Sequence, residues 1–178
     1  GDACRLQYGL LTPPPPGSWF AVGRGVAGLW KDSTLRTTAL GVTHFWFLLA
    51  LLYGLTDRAL PLVLGLMAGV LIARRLSGER IELGLTPLGA FGMGLFSLAL
   101  AGTTNDWTAA GALSLYGIAS GLFALPLHAL LLQRPAADEK RPVVAAAVLV
   151  AAIGALAGAG LAGWLAASAL PIRTVLLF

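Results

Sequence analysis

The chain has 178 residues, of which 57% are hydrophobic and 11% are charged, and its formal net charge is +4. This composition excludes an ordinary soluble domain, in which about a quarter of the residues are charged. The 23 glycines and the many alanines instead suit helices that approach one another closely in lipid. The small-xxx-small spacing that permits such an approach occurs at four pairs, Gly65/Gly69, Gly117/Gly121, Gly154/Gly158 and Ala159/Gly163. The small excess of basic residues does not argue for a nucleic-acid partner, because loops beside a membrane need such residues for their orientation.

The first 36 residues precede the long apolar runs. Residues 1–17 end in a run of four prolines and a glycine, which predicts an extended, Pro-rich cytoplasmic linker. Residues 18–36 carry apolar side chains at helical spacing, which predicts an amphipathic segment on the inner membrane surface, with an ordinary loop as the alternative. The apolar residues of this segment are Trp19, Val22, Val26, Leu29 and Trp30.

The residues from Gly23 to Gly28 match the pattern G-x-G-x-x-G. In a dinucleotide site this pattern follows a strand and opens a helix within a βαβ unit, with an acidic residue about 20 positions later. Here an apolar run begins within ten residues. We therefore interpret the match as a chance feature of a glycine-rich helix.

Five charge-free apolar runs follow, and each predicts a membrane span. A transmembrane helix needs about 20 mainly apolar residues, and the runs do not alternate as barrel strands do. The second run is the shortest, but Arg58 and Arg74 can snorkel at its ends. We expect an all-α membrane protein whose bundle covers residues 37–173. The expected spans are about 37–56, 59–76, 83–105, 107–133 and 142–170.

The basic residues support this count and predict an orientation. With five spans, ten of the 12 lysines and arginines lie on one side of the membrane and two on the other. Because cytoplasmic loops are enriched in Lys and Arg, the N-terminal segment is expected in the cytoplasm.

The ends of the sequence predict a fragment of a longer protein. The chain begins at Gly1 without a methionine, and residues 174–178 look like a truncated apolar segment. The single cysteine, Cys4, excludes an internal disulfide and offers no metal-ligand spacing. We expect neither a metal nor a cofactor.

A few polar or amphipathic side chains fall inside the spans, where such groups tend to face the bundle interior. His44 falls in the first two turns of its expected span, which favours an interfacial role. Pro126 should kink its helix beside His128. No acidic residue lies within a span, so no carboxylate proton relay is expected in these helices. The candidates for a substrate cavity are Trp46, Tyr53, Tyr116, Ser120 and His128.

Three stretches carry a family resemblance. They are LGVTHFWFL at 40–48, ARRLSGERIELGLTPLGA at 73–90 and GLFALPLHALL at 121–131. Together they resemble the C-terminal half of a major facilitator superfamily transporter. The nearest branch is the lysophospholipid transporters, some of which are fused to phospholipid acyltransferase domains.

The resemblance implies that the five spans are helices seven to eleven of a twelve-helix transporter, an incomplete C-terminal half. It also implies a charged cytoplasmic gating loop between the second and third spans, although Ala73 stands where the superfamily has an aspartate. The implied partners are membrane lipids, the missing N-terminal transporter half and a fused or associated acyltransferase; the implied location is the bacterial inner membrane. The gating-loop candidates are Arg74, Arg75, Glu79, Arg80 and Glu82. The alternative is a solvated loop whose basic residues only set the orientation of the protein in the membrane.

We therefore expect transport of lysophospholipid or a similar amphiphile, with the fragment inactive alone. The alternatives are a nonenzymatic membrane scaffold and the membrane part of a phospholipid acyltransferase fusion. The sequence lacks an H-x-x-x-x-D acyltransferase motif and the G-x-S-x-G nucleophile motif. Catalysis by these residues is therefore not expected, and a fused acyltransferase would lie outside them.

Overall fold

The structure, a computed structural model, describes residues 18–56, 59–77, 84–135 and 140–168. Within these residues it contains six helices and no strand. Four of the helices are long and apolar enough to cross a membrane, so the chain is an all-α membrane protein, as its composition predicts. The helices are α1 Ser18–Lys31, α2 Ser33–Leu55, α3 Ala59–Ser77, α4 Leu85–Ala101, α5 Asp106–Gln133 and α6 Lys140–Ala167.

Helix α4 is shorter than the span expected at residues 83–105. It has 17 residues, which correspond to about 25 Å of helix, against a hydrocarbon thickness of about 30 Å. The helix ends at Gly102, whose N–H donates to the carbonyls of Leu98 and Ala99. The structure therefore supports four long spans and one short apolar helix, and not the exact count of five.

Helix α2 begins earlier than the charge-free run that predicts it. Asp32 caps the helix, and its Oδ1 accepts a hydrogen bond from the Thr34 N–H at 2.8 Å. Because the helix starts at Ser33, Arg36 lies in its first turn and His44 lies near its middle. The expectation that His44 occupies the first two turns is therefore wrong.

Helices α3 and α5 form a parallel pair in very close contact. A methyl group added at Gly65 would collide with the Ser114 carbonyl oxygen, and one at Gly69 would collide with the Ile118 carbonyl oxygen. Glycines on α5 meet α3 in return, since a Cβ at Gly121 would lie 2.6 Å from the Val70 nitrogen. The small-xxx-small spacing at Gly65/Gly69 and Gly117/Gly121 predicts this packing, and the structure confirms it.

Helices α2 and α6 form a second parallel pair with the same design. Gly154 on α6 lies against Thr43, where an added Cβ would sit 2.6 Å from the carbonyl oxygen. Gly158, one turn later, lies against the Phe47 carbonyl oxygen. Two glycines four residues apart therefore face two carbonyls four residues apart, as in the pair formed by α3 and α5. The predicted packing of Gly154/Gly158 is confirmed.

The two pairs are related by an inversion of chain direction. Helices α2 and α5 meet antiparallel, with Gly41 close to Leu127 and the Phe45 ring 6.5 Å from the Phe123 ring. The parallel pair of α2 and α6 therefore runs opposite to the parallel pair of α3 and α5. Helix α4 runs antiparallel along α5, where a Cβ at Gly89 would lie 2.6 Å from the Phe123 nitrogen.

Helix α1 rests partly on protein. A Cβ at Gly28 would lie 3.1 Å from Val143 on α6, and Gly25 lies against the Pro142 carbonyl. Leu29 is buried in a core cluster that Val26 also contacts, while the side chains of Trp19 and Val22 lie outside the described residues. Two of the apolar residues predicted for the amphipathic segment, Val26 and Leu29, thus pack against protein. Two of the three glycines in the dinucleotide-like pattern serve this helix contact.

The bundle has one basic end. Helices α3 and α5 finish there and α2 and α6 begin there, which brings together the described basic side chains. We call this the basic end and the other the opposite end, where α5 begins with Asn105 and Asp106. Exposed tryptophans mark both ends, with Trp30 at the basic end and Trp107 at the opposite end. The residues that share the basic end are Lys31, Arg36, Arg74, Arg75, Arg134, Lys140 and Arg141.

The glycine contacts predict which substitutions the bundle tolerates. Gly69→Ala and Gly158→Ala should each lower the free energy of unfolding by about 1–3 kcal/mol, because the added methyl must displace a neighbouring backbone. Gly111 and Gly160 have no atom within 4 Å of an added Cβ, so alanine at either site is the matched control and should leave stability unchanged or higher. Thermal unfolding in detergent measures all four variants. Equal stability of the two groups would contradict the close pairing.

Candidate functional site

An apolar groove runs between the two helix pairs. It comprises two cavities, one of about 410 Å³ between α2, α5 and α6 and one of about 480 Å³ between α2, α3 and α6. Both cavities are lined by Trp46 and Ala155, so they adjoin near the middles of α2 and α6. Together they form one groove that we call the central groove.

The central groove extends along the membrane-crossing direction. The smaller cavity reaches toward the basic end, where Leu131 and Val144 line it. The larger cavity reaches toward the opposite end, where Tyr53 and Leu62 line it. The groove is open because one wall is built largely of small residues, which leave space beside α2. The small residues of α6 that line it are Ala147, Ala151, Ala152, Ala155, Ala159, Ala162 and Gly163.

The fourth small-residue pair that the sequence indicates, Ala159/Gly163, belongs to this wall. A Cβ added at Gly163 would have no described atom within 4 Å. This pair therefore differs from the other three, which hold a neighbouring helix. The predicted helix packing is not found at Ala159/Gly163 among the described residues.

His128 supplies a polar group to the smaller cavity. Its Nδ1 lies 2.8 Å from the Ala124 carbonyl oxygen, and because a carbonyl can only accept, Nδ1 carries the proton in this contact. The ring also packs edge-on against Phe45, with 6.3 Å between centroids. In the neutral ring, Nε2 is then left as a hydrogen-bond acceptor.

Three of the five predicted cavity candidates meet at the central groove. Trp46, Tyr53 and His128 all line it. Tyr116 and Ser120 lie elsewhere. Tyr116 is 3% exposed in a core cluster, and Ser120 is fully buried and donates to the Gly117 carbonyl at 2.8 Å.

The structure describes two of the five predicted gating-loop residues, and both lie at the end of α3. Arg74 and Arg75 are exposed in its last turn, at the basic end of the bundle. Glu79, Arg80 and Glu82 lie outside the described residues.

An ion pair at the basic end was not foreseen from the sequence. Arg134 donates from Nε to Asp32 Oδ2 at 3.0 Å, which links the start of α2 to the end of α5. This bond, followed by the Thr34 N–H bond to the same carboxylate, lowers the pKa of Asp32 below its ordinary value. The sequence near Asp32 indicates only a helix cap. It does not indicate the ion pair, because Arg134 is 102 residues away.

The described residues contain no group of three or more His, Cys, Asp or Glu side chains that could hold a metal ion. Comparisons with protein families, with curated proteins and with solved structures find no match.

The ion pair predicts a pH-dependent contribution to stability. Asp32→Asn keeps a capping side chain but removes the charge, so it should lower the unfolding temperature modestly at neutral pH. Because the pKa of Asp32 is lowered in the folded protein, the contribution is present above the ordinary carboxyl pKa and is lost as the pH falls through the folded value. The difference between parent and variant should therefore vanish in acid.

A double-mutant cycle supplies the control for this ion pair. Arg134→Gln should cost as much as Asp32→Asn at neutral pH, and the double variant should cost little more than either one. Fully additive losses would contradict a direct interaction between these two side chains.

Proposed function

We propose that the chain is the C-terminal half of a major facilitator superfamily transporter and that the central groove binds a lysophospholipid or a similar single-chain amphiphile. The observation that carries the proposal is a groove between two helix pairs of opposite direction. Many transporter folds consist of inverted repeats and hold substrate near the bilayer midplane at the repeat interface. Trp46 and Ala155, which the two cavities share, lie near the middles of α2 and α6, which corresponds to that depth in the proposed arrangement.

The lining of the groove favours an acyl chain as the occupant. Each cavity falls within the range of about 300–1,000 Å³ that is typical of small-molecule sites. Side chains of Leu, Val and Ala form most of the walls, while Trp46, Tyr53 and His128 add hydrogen-bonding groups. Because no carboxylate of the described residues lines either cavity, the groove suits an apolar tail better than a small cation.

In this proposal α4 crosses the membrane and the bundle has five spans. The helix runs beside α5 for most of its length, held by Gly89 and Gly92. A bilayer adapts to a helix of about 25 Å by local thinning, at a modest cost per ångström. With five crossings the basic end faces the cytoplasm under the positive-inside rule, and the proposed location is the bacterial inner membrane.

Alternating access requires a second bundle that rocks against this one. The central groove is open along one side, which suits a cover formed by the missing N-terminal half. The proposed role of this chain alone is therefore binding, with transport requiring both halves. Arg74 and Arg75 would then contact the other half at the cytoplasmic end, and any acyltransferase activity would belong to a fused or associated domain.

Filling the groove at its midpoint tests the proposal. Ala155→Phe should lower binding of a fluorescent lysophospholipid by the chain in nanodiscs about tenfold or more, because the ring occupies both cavities. Ala157 is exposed and lines neither cavity, so Ala157→Phe is the matched control and should bind like the parent. Equal binding by both variants would place the amphiphile outside the groove.

Cysteine labelling tests the five crossings. With Cys4 replaced by Ser, Leu76→Cys at the end of α3 and Thr104→Cys after α4 should react from opposite sides of sealed membranes, Leu76→Cys from the cytoplasm. Both positions are exposed. Labelling of both from the same side would show that α4 does not cross, and would remove the assignment to helices seven to eleven.

A further inference from the structure

The corner where α1 meets α2 presents cationic, aromatic and apolar side chains together on the surface. Trp30 lies in the last turn of α1 with 55% of its surface exposed, and the Arg36 guanidinium carbon lies 5.9 Å from the centre of its ring. Lys31, beside Trp30 in the chain, is also exposed. Leu40 follows Arg36 by one turn and is 50% exposed. We call these four residues the Trp30 corner.

The positive charge of this corner is not neutralised by described residues. Asp32 is the acidic side chain nearest in the described chain, and both of its oxygens are engaged elsewhere. Oδ1 accepts from the Thr34 N–H, and Oδ2 accepts from Arg134. Lys31 and Arg36 have no acidic partner among the described residues. Among the described residues, Lys31 and Arg36 therefore keep their positive charge without an acidic partner, which favours an anionic ligand.

The position of the Trp30 corner favours a lipid as the anionic ligand. Arg36 lies in the first turn of a membrane-crossing helix, at the depth where headgroups lie. Leu40 is about 6 Å further along the same face, toward the bilayer interior. A phosphate at Arg36 thus places an acyl chain beside Leu40, whereas an acidic peptide in water would leave Leu40 unused. Tryptophan is favoured at this depth because its ring is amphipathic.

We infer that the Trp30 corner binds the headgroup of an anionic phospholipid from the bilayer. The phosphate takes charge-assisted hydrogen bonds from Arg36 and Lys31, and the cation–π contact with the Trp30 ring favours this position of the guanidinium. This site lies outside the central groove and does not depend on the transport proposal. It is a structural lipid site that anchors the junction of α1 and α2.

Native mass spectrometry of the chain in nonionic detergent tests the inference, with phosphatidylglycerol and phosphatidylcholine of the same acyl chains as probes. Phosphatidylglycerol should bind more tightly. Arg36→Gln should weaken its binding about fivefold, the factor expected for one basic residue near an anionic surface. Arg75→Gln removes the same charge at the same end, where Arg75 is exposed, and should change binding less than twofold. Equal losses from the two variants would reduce the site to a general electrostatic attraction and overturn the inference.

Two further arms separate a lipid from a free anion. Glycerol phosphate, which has the charge without the chains, should fail to compete with phosphatidylglycerol. Leu40→Ser, which keeps every charge, should weaken phosphatidylglycerol binding. Competition by glycerol phosphate, or parental binding by the Leu40→Ser variant, would contradict a lipid site. Circular dichroism checks that each variant keeps its helix content, and Trp30→Ala provides a second variant with no change of charge, which should also bind less.

Discussion

The contact between a glycine and a facing backbone carbonyl is the constraint on which the bundle depends. In a bilayer, an apolar side chain gains little free energy when it moves from lipid into a helix contact, because lipid tails are themselves apolar. Helices therefore associate through close packing. Gly69 on α3 and Gly158 on α6 each lie against a backbone carbonyl of the neighbouring helix. A side chain at either position would prevent so close an approach of the two helices. Because these contacts recur at four-residue intervals, they fix the register of each pair as well as its separation.

The central groove is a consequence of this arrangement. Glycines allow α6 to pack closely on α2, and α3 to pack closely on α5. Space remains between these two helix pairs. Small residues on α6 widen that space, and Trp46 lines both of its cavities near the middle of α2. The hydroxyls of Thr43 and Ser114 donate to carbonyls of their own helices, and neither residue lines the groove. The groove thus remains suited to an apolar tail.

The sequence was sufficient for features that depend on local pattern, and insufficient for those that depend on which helices become neighbours. Charge-free runs predict an all-helical membrane protein, and three glycine pairs predict two of the helix contacts. Cap chemistry was the missing signal for α2, where Asp32 starts the helix early and moves His44 to its middle. At the site, polarity alone could not separate the groove-lining His128 from the buried Tyr116. The sequence could not identify Arg134 as the partner of Asp32, because four helices separate the two residues along the chain.

Spin-label distances across α3 and α5 test the parallel pairing most directly. Leu60, Trp107 and Gln133 are exposed at helix ends, and α5 is 28 residues long, or about 42 Å. The account predicts that a label at Leu60 lies much closer to a label at Trp107 than to one at Gln133. A shorter distance from Leu60 to Gln133 would make the pair antiparallel, and would contradict both the opposite directions of the two helix pairs and the groove between them.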